Sequence, residues 1–336
     1  MKASGRPVIL ISEELKEEEI AEIRAIVPRA RLLTGADLES DLSLVERVEI
    51  CYPALPAELW SKARSLQWLQ IKWAGAESVL RILEAKSHPA VITNTHIHAD
   101  AVAEHLWGMC LALTRNINRA VLQQRERIWD RTAVLPGISL LAGKTACIVG
   151  LGTIGRSCAE LAKAFGMHVI GIRRQPGSLR PAPDEAGAGD RAGSTMVADE
   201  MVGPEDKRPA FARSRLIMVI LPDAPGTRHF IGREEMASMR GAYLLNAGRG
   251  GCIDTDALVE ALGSGSVRAA GLDVTDPEPL PPDHPLWGMP NVIITPHYAG
   301  DHPGYDREAF RAFIDNLGRY IRGESLRSVV DREAGY

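Results

Sequence analysis

Apolar runs of four to six residues recur along the chain, each followed by a helically patterned stretch or by a turn rich in glycine and proline. Short unbroken runs predict strands covered on both faces, as in a parallel sheet, where burial of every side chain leaves no alternation. In the first part of the chain they fall at 8–12, 48–52, 66–71 and 90–93, with helices predicted at 13–26 and 56–64. That part reads as a small α/β domain without a glycine fingerprint. From about residue 100 a long helix leads to Arg115, and a polar, arginine-rich arm carrying Trp129 follows. Further runs at 145–149, 168–172, 216–221, 242–246, 269–274 and 292–296 predict six parallel strands. Six is the number in a full dinucleotide fold built from two halves. The closing helix, 305–323, is expected to return to the first domain. Residues 175–194, rich in proline, glycine and alanine and without apolar periodicity, read as a surface loop without chemistry.

What stands at the ends of the second set of strands narrows the function. The run 145–149 opens into Gly150-Leu151-Gly152-Thr153-Ile154-Gly155, a helix-like stretch follows, and a second strand at 168–172 closes the unit. A bare glycine pattern is weak, but strand, turn, helix and strand within about thirty residues is the context a dinucleotide fingerprint requires. Gly150 suits the tight turn, Gly152 the approach of a diphosphate, and Gly155 close packing of helix on strand. The helix N-terminus offers N–H groups and partial positive charge to the phosphates. Three further strands run into Arg249, Glu278 and His297. In an open parallel sheet, ligands bind outside the carboxyl ends of the strands. An arginine there can clamp a carboxylate bidentately, and a histidine beside a glutamate is favoured in its protonated form and can supply a proton. Singly, each has an ordinary explanation as a solvated arginine, a loop glutamate or a satisfied core histidine. Their joint place at consecutive strand ends favours catalysis.

The residue after the second dinucleotide strand points to the cofactor. An NAD-binding chain usually carries Asp or Glu there for the ribose 2′-hydroxyl. Here it is Arg173, followed by Arg174, and the next carboxylate is Asp184. Guanidinium groups bind a 2′-phosphate that a carboxylate would repel, so NADP(H) is expected over NAD(H), with NAD(H) still possible. The competing reading is two solvated arginines at a strand end.

Composition removes other classes. At 336 residues with a formal charge of −4 and no basic stripe, a nucleic-acid partner is not expected. Cysteines 51, 110, 147, 158 and 252 form no C-x-x-C pair and read as reduced core residues of a cytoplasmic protein. No signal peptide is expected, and the apolar helix 101–114 carries Glu104 and His105 and is too short to span a bilayer. His96 and His98 lack a third ligand nearby, so no metal site is expected.

Together, 101-AVAEH-105, 142-AGKTACIVGLGTIGR-156, 244-LLNAGRGGCIDTDAL-258, 271-GLDVTDPEPLP-281 and 294-ITPHYAG-300 make the chain resemble the D-2-hydroxyacid dehydrogenases. The resemblance runs from about residue 60 to the C-terminus and leans toward the NADPH-dependent glyoxylate/hydroxypyruvate reductases. It implies a flavodoxin-like substrate-binding domain, residues 1–99 with 300–336, into which a Rossmann dinucleotide-binding domain, 100–299, is inserted. The cleft between them would be the active site. It implies reduction of a 2-oxo acid to the D-2-hydroxy acid, with Arg249 on the carboxylate and keto oxygen, His297 as general acid/base and Glu278 tuning it. Asp273 would hold the nicotinamide carboxamide, with cofactor contacts also from Thr153, Ile154, Leu221, Pro222, Thr227, Ala247 and Gly248. Backbone amides of Ala74, Gly75 and Ala76 would hold the substrate carboxylate, and the arm around 115–140 would wrap a partner in a homodimer. Lys72 and Trp73 depart from the small residues common before that loop. Trp73 either shapes the substrate pocket or packs in the domain core. Two relatives of different activity stay open: formate dehydrogenase, where glutamine is expected in place of Glu278, and corepressors that use the fold as a sensing module.

Overall fold

A computed structural model describes residues 6–86, 88–174, 197–224 and 226–333. The predicted loop at 175–194 lies outside them. Contacts divide the chain into two compact units, one of residues up to 97 with those from 302 onward, the other within 98–301.

The smaller unit is a five-stranded parallel sheet of β1 (Val8–Ile11), β2 (Arg31–Thr34), β3 (Ile50–Tyr52), β4 (Trp68–Gln70) and β5 (Val91–Thr93), in the order β2-β1-β3-β4-β5. That is the flavodoxin-like order. Period-2 alternation sorts its side chains onto two cores. Leu10, Cys51 and Leu69 face one cluster, with Val45 and Trp60. Ile9, Ile11, Ile50 and Trp68 face the other. The helix Tyr305–Arg322 covers this second face with Phe310, Phe313, Leu317 and Tyr320, spaced three or four apart so that one stripe is apolar. Phe313 stacks on Tyr52 and Trp68. The closing helix therefore belongs to the first unit.

The larger unit holds seven parallel strands: β6 (Thr145–Val149), β7 (His168–Ile172), β8 (Glu200–Val202), β9 (Leu216–Val219), β10 (Ala242–Asn246), β11 (Val267–Leu272) and β12 (Val292–Ile294). Their order, β12-β11-β10-β9-β6-β7-β8, is the dinucleotide-fold order extended by one strand. Ala146, Ile148, Leu216, Met218, Tyr243 and Leu245 face one core, covered by helices Ala99–Thr114 and Thr153–Ala164. Cys147, Val149, Ile217, Val219, Ala242 and Leu244 face the other, covered by Thr255–Ser264. Both faces being covered is why these strands read as unbroken apolar runs.

Three sequence expectations need correcting. Edge strands β2 and β8 were not foreseen, because exposed ends in β2 and a charged, only half-buried run in β8 give no apolar stretch. The first helix begins at Glu17, not 13, with three glutamates in its first turn, where the helix dipole favours them. Residues 56–64 form only a short 3-10 turn, Ala57–Leu59, in which Leu59 is buried together with the following Trp60 and Ala63. All five cysteines are buried and free. Burial pushes the Cys110 and Cys158 thiols up to about 12, so they are packing groups. Among the described residues no helix is long and apolar enough to cross a membrane.

Candidate active site

The strand order reverses between β6, β7 and β9, and the glycine turn follows β6 at that switch point. Gly150 has φ +96, and a Cβ there would lie 2.5 Å from the Ile220 carbonyl oxygen. A Cβ on Gly155 would meet the Gly150 carbonyl oxygen, so the first turn of the helix can sit on the loop only without one. Gly152, by contrast, would point a Cβ into open space, at the helix N-cap, where free backbone N–H groups can receive an anion. Thr153 and half-buried Ile154 form the helix's first turn. Two of the three positions exclude a Cβ and the third leaves the helix N-terminus open.

The other residues singled out in the larger unit also stand at carboxyl ends of its strands. Arg173, half-buried, and Arg174 follow β7, and the Arg173 N–H donates to the Val202 carbonyl of β8. Leu221 and Pro222 follow β9. The Thr227 hydroxyl, within hydrogen-bond distance of the Pro222 and Ala224 carbonyls, folds that loop back. Ala247, Gly248 and Arg249 follow β10. Here Asn246, missed by the sequence reading, is the organising residue. Its Oδ1 accepts from the Gly248 N–H at 3.0 Å and its Nδ2 donates to the Arg249 carbonyl at 3.0 Å. That side-chain turn stands half-buried Arg249 at the sheet edge. An asparagine closing an apolar strand before Ala-Gly was the available signal.

Glu278 and His297 meet. His297 Nδ1 lies 2.5 Å from Glu278 Oε1, and Glu278 Oε2 accepts from the Thr275 N–H at 3.3 Å. The two side chains are 50% and 41% exposed. An exposed ion pair adds at most about 1 kcal/mol of stability, so this contact matters for orientation. An ionised carboxylate only accepts, hence Nδ1 carries the hydrogen and Nε2 is left to exchange a proton with a ligand.

Asp273 is what holds the histidine in place. His297 has φ +51, a left-handed conformation that costs a non-glycine residue roughly 1–2 kcal/mol. Three backbone bonds hold it there: His297 N–H to the Asp273 carbonyl, Tyr298 N–H to Asp273 Oδ1 and Ala299 N–H to Asp273 Oδ2. Thr295 Oγ1 donates to Oδ1 at 2.7 Å, and His105 Nε2 lies 2.9 Å from Thr295 Oγ1. Asp273 is 3% exposed, and one acceptor position on Oδ2 is not used by these bonds. Thr295 and His105 were not read as site residues. Their signal lay in register, since Leu272 pairs with Ile294 and so sets Asp273 beside Thr295.

In the smaller unit, Ala74, Gly75 and Ala76 follow β4. Asn94 Nδ2 donates to the Ala74 carbonyl, while Thr95 Oγ1 and the Tyr305 hydroxyl both donate to the Lys72 carbonyl. Lys72 bridges Glu13 and Asp306. Trp73 is half-buried and packs against the Leu10–Trp60 core. Among the described residues no three metal-ligating side chains gather.

The sequence model of the D-isomer specific 2-hydroxyacid dehydrogenase, NAD binding domain, matches residues 107–299. D-3-phosphoglycerate dehydrogenase of Methanocaldococcus jannaschii is 32% identical over 330 residues, 96% of this chain. The chain spans only 59% of that relative's length. Glyoxylate reductase of Aeropyrum pernix is 35% identical over 249 residues, 72% of this chain and 70% of the relative. A solved D-isomer specific 2-hydroxyacid dehydrogenase family protein from Aeromonas salmonicida superposes with a TM-score of 0.78 at 30% identity, covering 98% of this chain and 100% of that one.

Proposed function

The chain belongs to the D-isomer specific 2-hydroxyacid dehydrogenase family, and from that membership we propose that it reduces a 2-oxo acid, glyoxylate- or hydroxypyruvate-like or larger, to the D-2-hydroxy acid with NADPH. The observation that carries this reading is the His297–Glu278 contact at the strand ends beside Arg249. Arg249 orients the substrate through its carboxylate and keto oxygen, and its charge offsets the negative charge that develops on that oxygen. A reduced nicotinamide, bound along the glycine turn, supplies hydride to the carbonyl carbon. His297 delivers the proton from Nε2 while Glu278 keeps Nδ1 engaged, and its exposure lets solvent reprotonate it. The Asp273 carboxylate, besides fixing the 295–299 turn, has an acceptor position for the nicotinamide carboxamide. The test is loss of absorbance at 340 nm with NADPH and a panel of glyoxylate, hydroxypyruvate, pyruvate and bulkier 2-oxo acids. Turnover of at least one is expected, and binding of NADPH without turnover of any would overturn the reading in favour of a sensing module.

The cofactor site yields two expectations. Gly152→Ala adds a methyl group where the protein has nothing to meet it. The melting temperature should hold while NADPH affinity falls about tenfold or more, because the methyl group occupies diphosphate space. Equal affinity in a fluorescence titration would remove the diphosphate from that turn. Arg173→Asp removes a charge-assisted hydrogen bond worth ~1.5–3 kcal/mol, roughly ten- to a hundred-fold in affinity, and adds repulsion. The ratio of KM for NADPH to KM for NADH should therefore rise by that factor. A wild-type preference for NADH, or an unmoved ratio, would leave an NAD-dependent enzyme of the same family.

The arm supports a homodimer. Trp129 is 99% exposed, and Ile117, Leu122 and Leu140 are exposed beside it in sequence. Apolar side chains gathered on one exposed segment mark an association surface. Sedimentation should give a dimer, and a stable active monomer would contradict it.

A further inference from the structure

We propose that His105 is a positioning residue of the candidate active site, bracing from the helix Ala99–Thr114 the turn that carries His297 and the carboxylate of Asp273. The proposal rests on the roles given above to those two residues. The helix is placed to act as a brace. Val102, Leu106, Met109 and Leu113, spaced three or four apart, are buried in the core on one face of the larger sheet, so the helix cannot rotate about its own axis. His105, one position before Leu106, stands at the edge of that stripe and is half-buried.

The imidazole touches both ends of the 295–299 turn. At one end its Nε2 lies 2.9 Å from Thr295 Oγ1. At the other the Tyr298 ring meets it edge-on, with centroids 5.0 Å apart and planes at 83°. Counting hydrogens gives the direction of the first contact. The Thr295 hydroxyl has one hydrogen and gives it to Asp273 Oδ1 at 2.7 Å, so towards the imidazole it can only accept. Nε2 therefore carries a hydrogen, in the neutral ring or in the charged one. Nε2 and Asp273 Oδ1 are 3.6 Å apart, too far for a direct bond, which makes the hydroxyl the link between helix and carboxylate.

The link reaches both halves of the proposed reaction. Oδ1 is held by Thr295 and the Tyr298 N–H, and Oδ2 by the Ala299 N–H. Fixing the hydroxyl fixes the rotation of the carboxylate, and with it the direction of the acceptor position offered to the nicotinamide. The same bonds hold the turn that keeps His297 at φ +51. A chain of hydrogen bonds orders a site only while each member is satisfied. Loss of the imidazole donor should therefore loosen the nicotinamide acceptor and the proton donor together.

Two variants of the full chain separate the donor from the packing. His105→Phe keeps a ring against Tyr298 and removes the donor, while His105→Gln keeps a donor of similar reach. His105→Phe should lower kcat and raise the NADPH dissociation constant in a fluorescence titration, each about three- to tenfold, the worth of one hydrogen bond. KM for the 2-oxo acid, which falls to Arg249, should hold. His105→Gln should recover most of both losses. Because His105 acts through Thr295, adding His105→Phe to Thr295→Val should bring no further loss in either quantity. The proposal fails if His105→Phe leaves either quantity unchanged, if glutamine behaves as phenylalanine does, or if the two substitutions are additive. Where wild type binds NADPH and reduces no 2-oxo acid, the proposed function falls instead, and the NADPH titration across the same variants still decides the role of His105.

Discussion

Replacing His297 with alanine is expected to lower kcat by roughly 10²–10⁴, the usual contribution of a positioned general acid, with NADPH affinity nearly unchanged. The expectation follows from where the imidazole is held. Its Nδ1 is engaged by Glu278 at 2.5 Å, and its backbone is kept at φ +51 by three bonds to Asp273. The histidine thus arrives at the strand edge with one nitrogen anchored and the other available. Alanine removes the proposed proton donor and leaves the glycine turn after β6 untouched, so binding and chemistry should separate. A variant with near-normal kcat would mean that the proton comes from another group. Glu278→Gln should act in the same direction and less strongly, because an amide oxygen can still accept from Nδ1 and keep the ring oriented.

Arg249→Lys should lower kcat/KM for 2-oxo acids by about ten- to a hundred-fold, since of two charge-assisted bonds worth roughly 1.5–3 kcal/mol each an ammonium group can remake only one. The arginine is positioned by backbone geometry that lysine inherits. Asn246 closes the turn through Gly248 and the Arg249 carbonyl, and a Cβ on Gly248 would lie 2.5 Å from the Leu221 carbonyl oxygen. Substitution at 249 therefore leaves the backbone turn in place and changes the head group, whose Nη1 donates to the Gly248 carbonyl at 2.8 Å. Steady-state kinetics decides the point. Wild-type efficiency in the lysine variant would show that a single positive charge suffices and that no bidentate clamp exists.

How far the sequence could be read depended on burial. Strands such as β9 and β10 are buried at every position, so their runs Leu-Ile-Met-Val and Ala-Tyr-Leu-Leu-Asn stood out. Edge strands β2 and β8 expose part of their length and look like loop. The segment around Trp60 was misread as helix because its apolar residues have helical spacing, although Pro56 precedes a turn too short to propagate. At the site, residues that end strands were legible from their position alone. Asn246, Thr295 and His105 were not, because each acts by contacting a neighbour fixed by turn geometry, strand register or tertiary packing.

In the proposed reaction hydride and proton arrive at one carbonyl at the carboxyl edge of the larger sheet. The most direct measurement is the configuration of the product formed from hydroxypyruvate, or from whichever 2-oxo acid turns over fastest, with NADPH consumption followed in the same reaction. Chiral chromatography should show the D-2-hydroxy acid alone, in amounts equal to the NADPH oxidised. An L or racemic product, or oxidation of NADPH without hydroxy acid, would contradict the account.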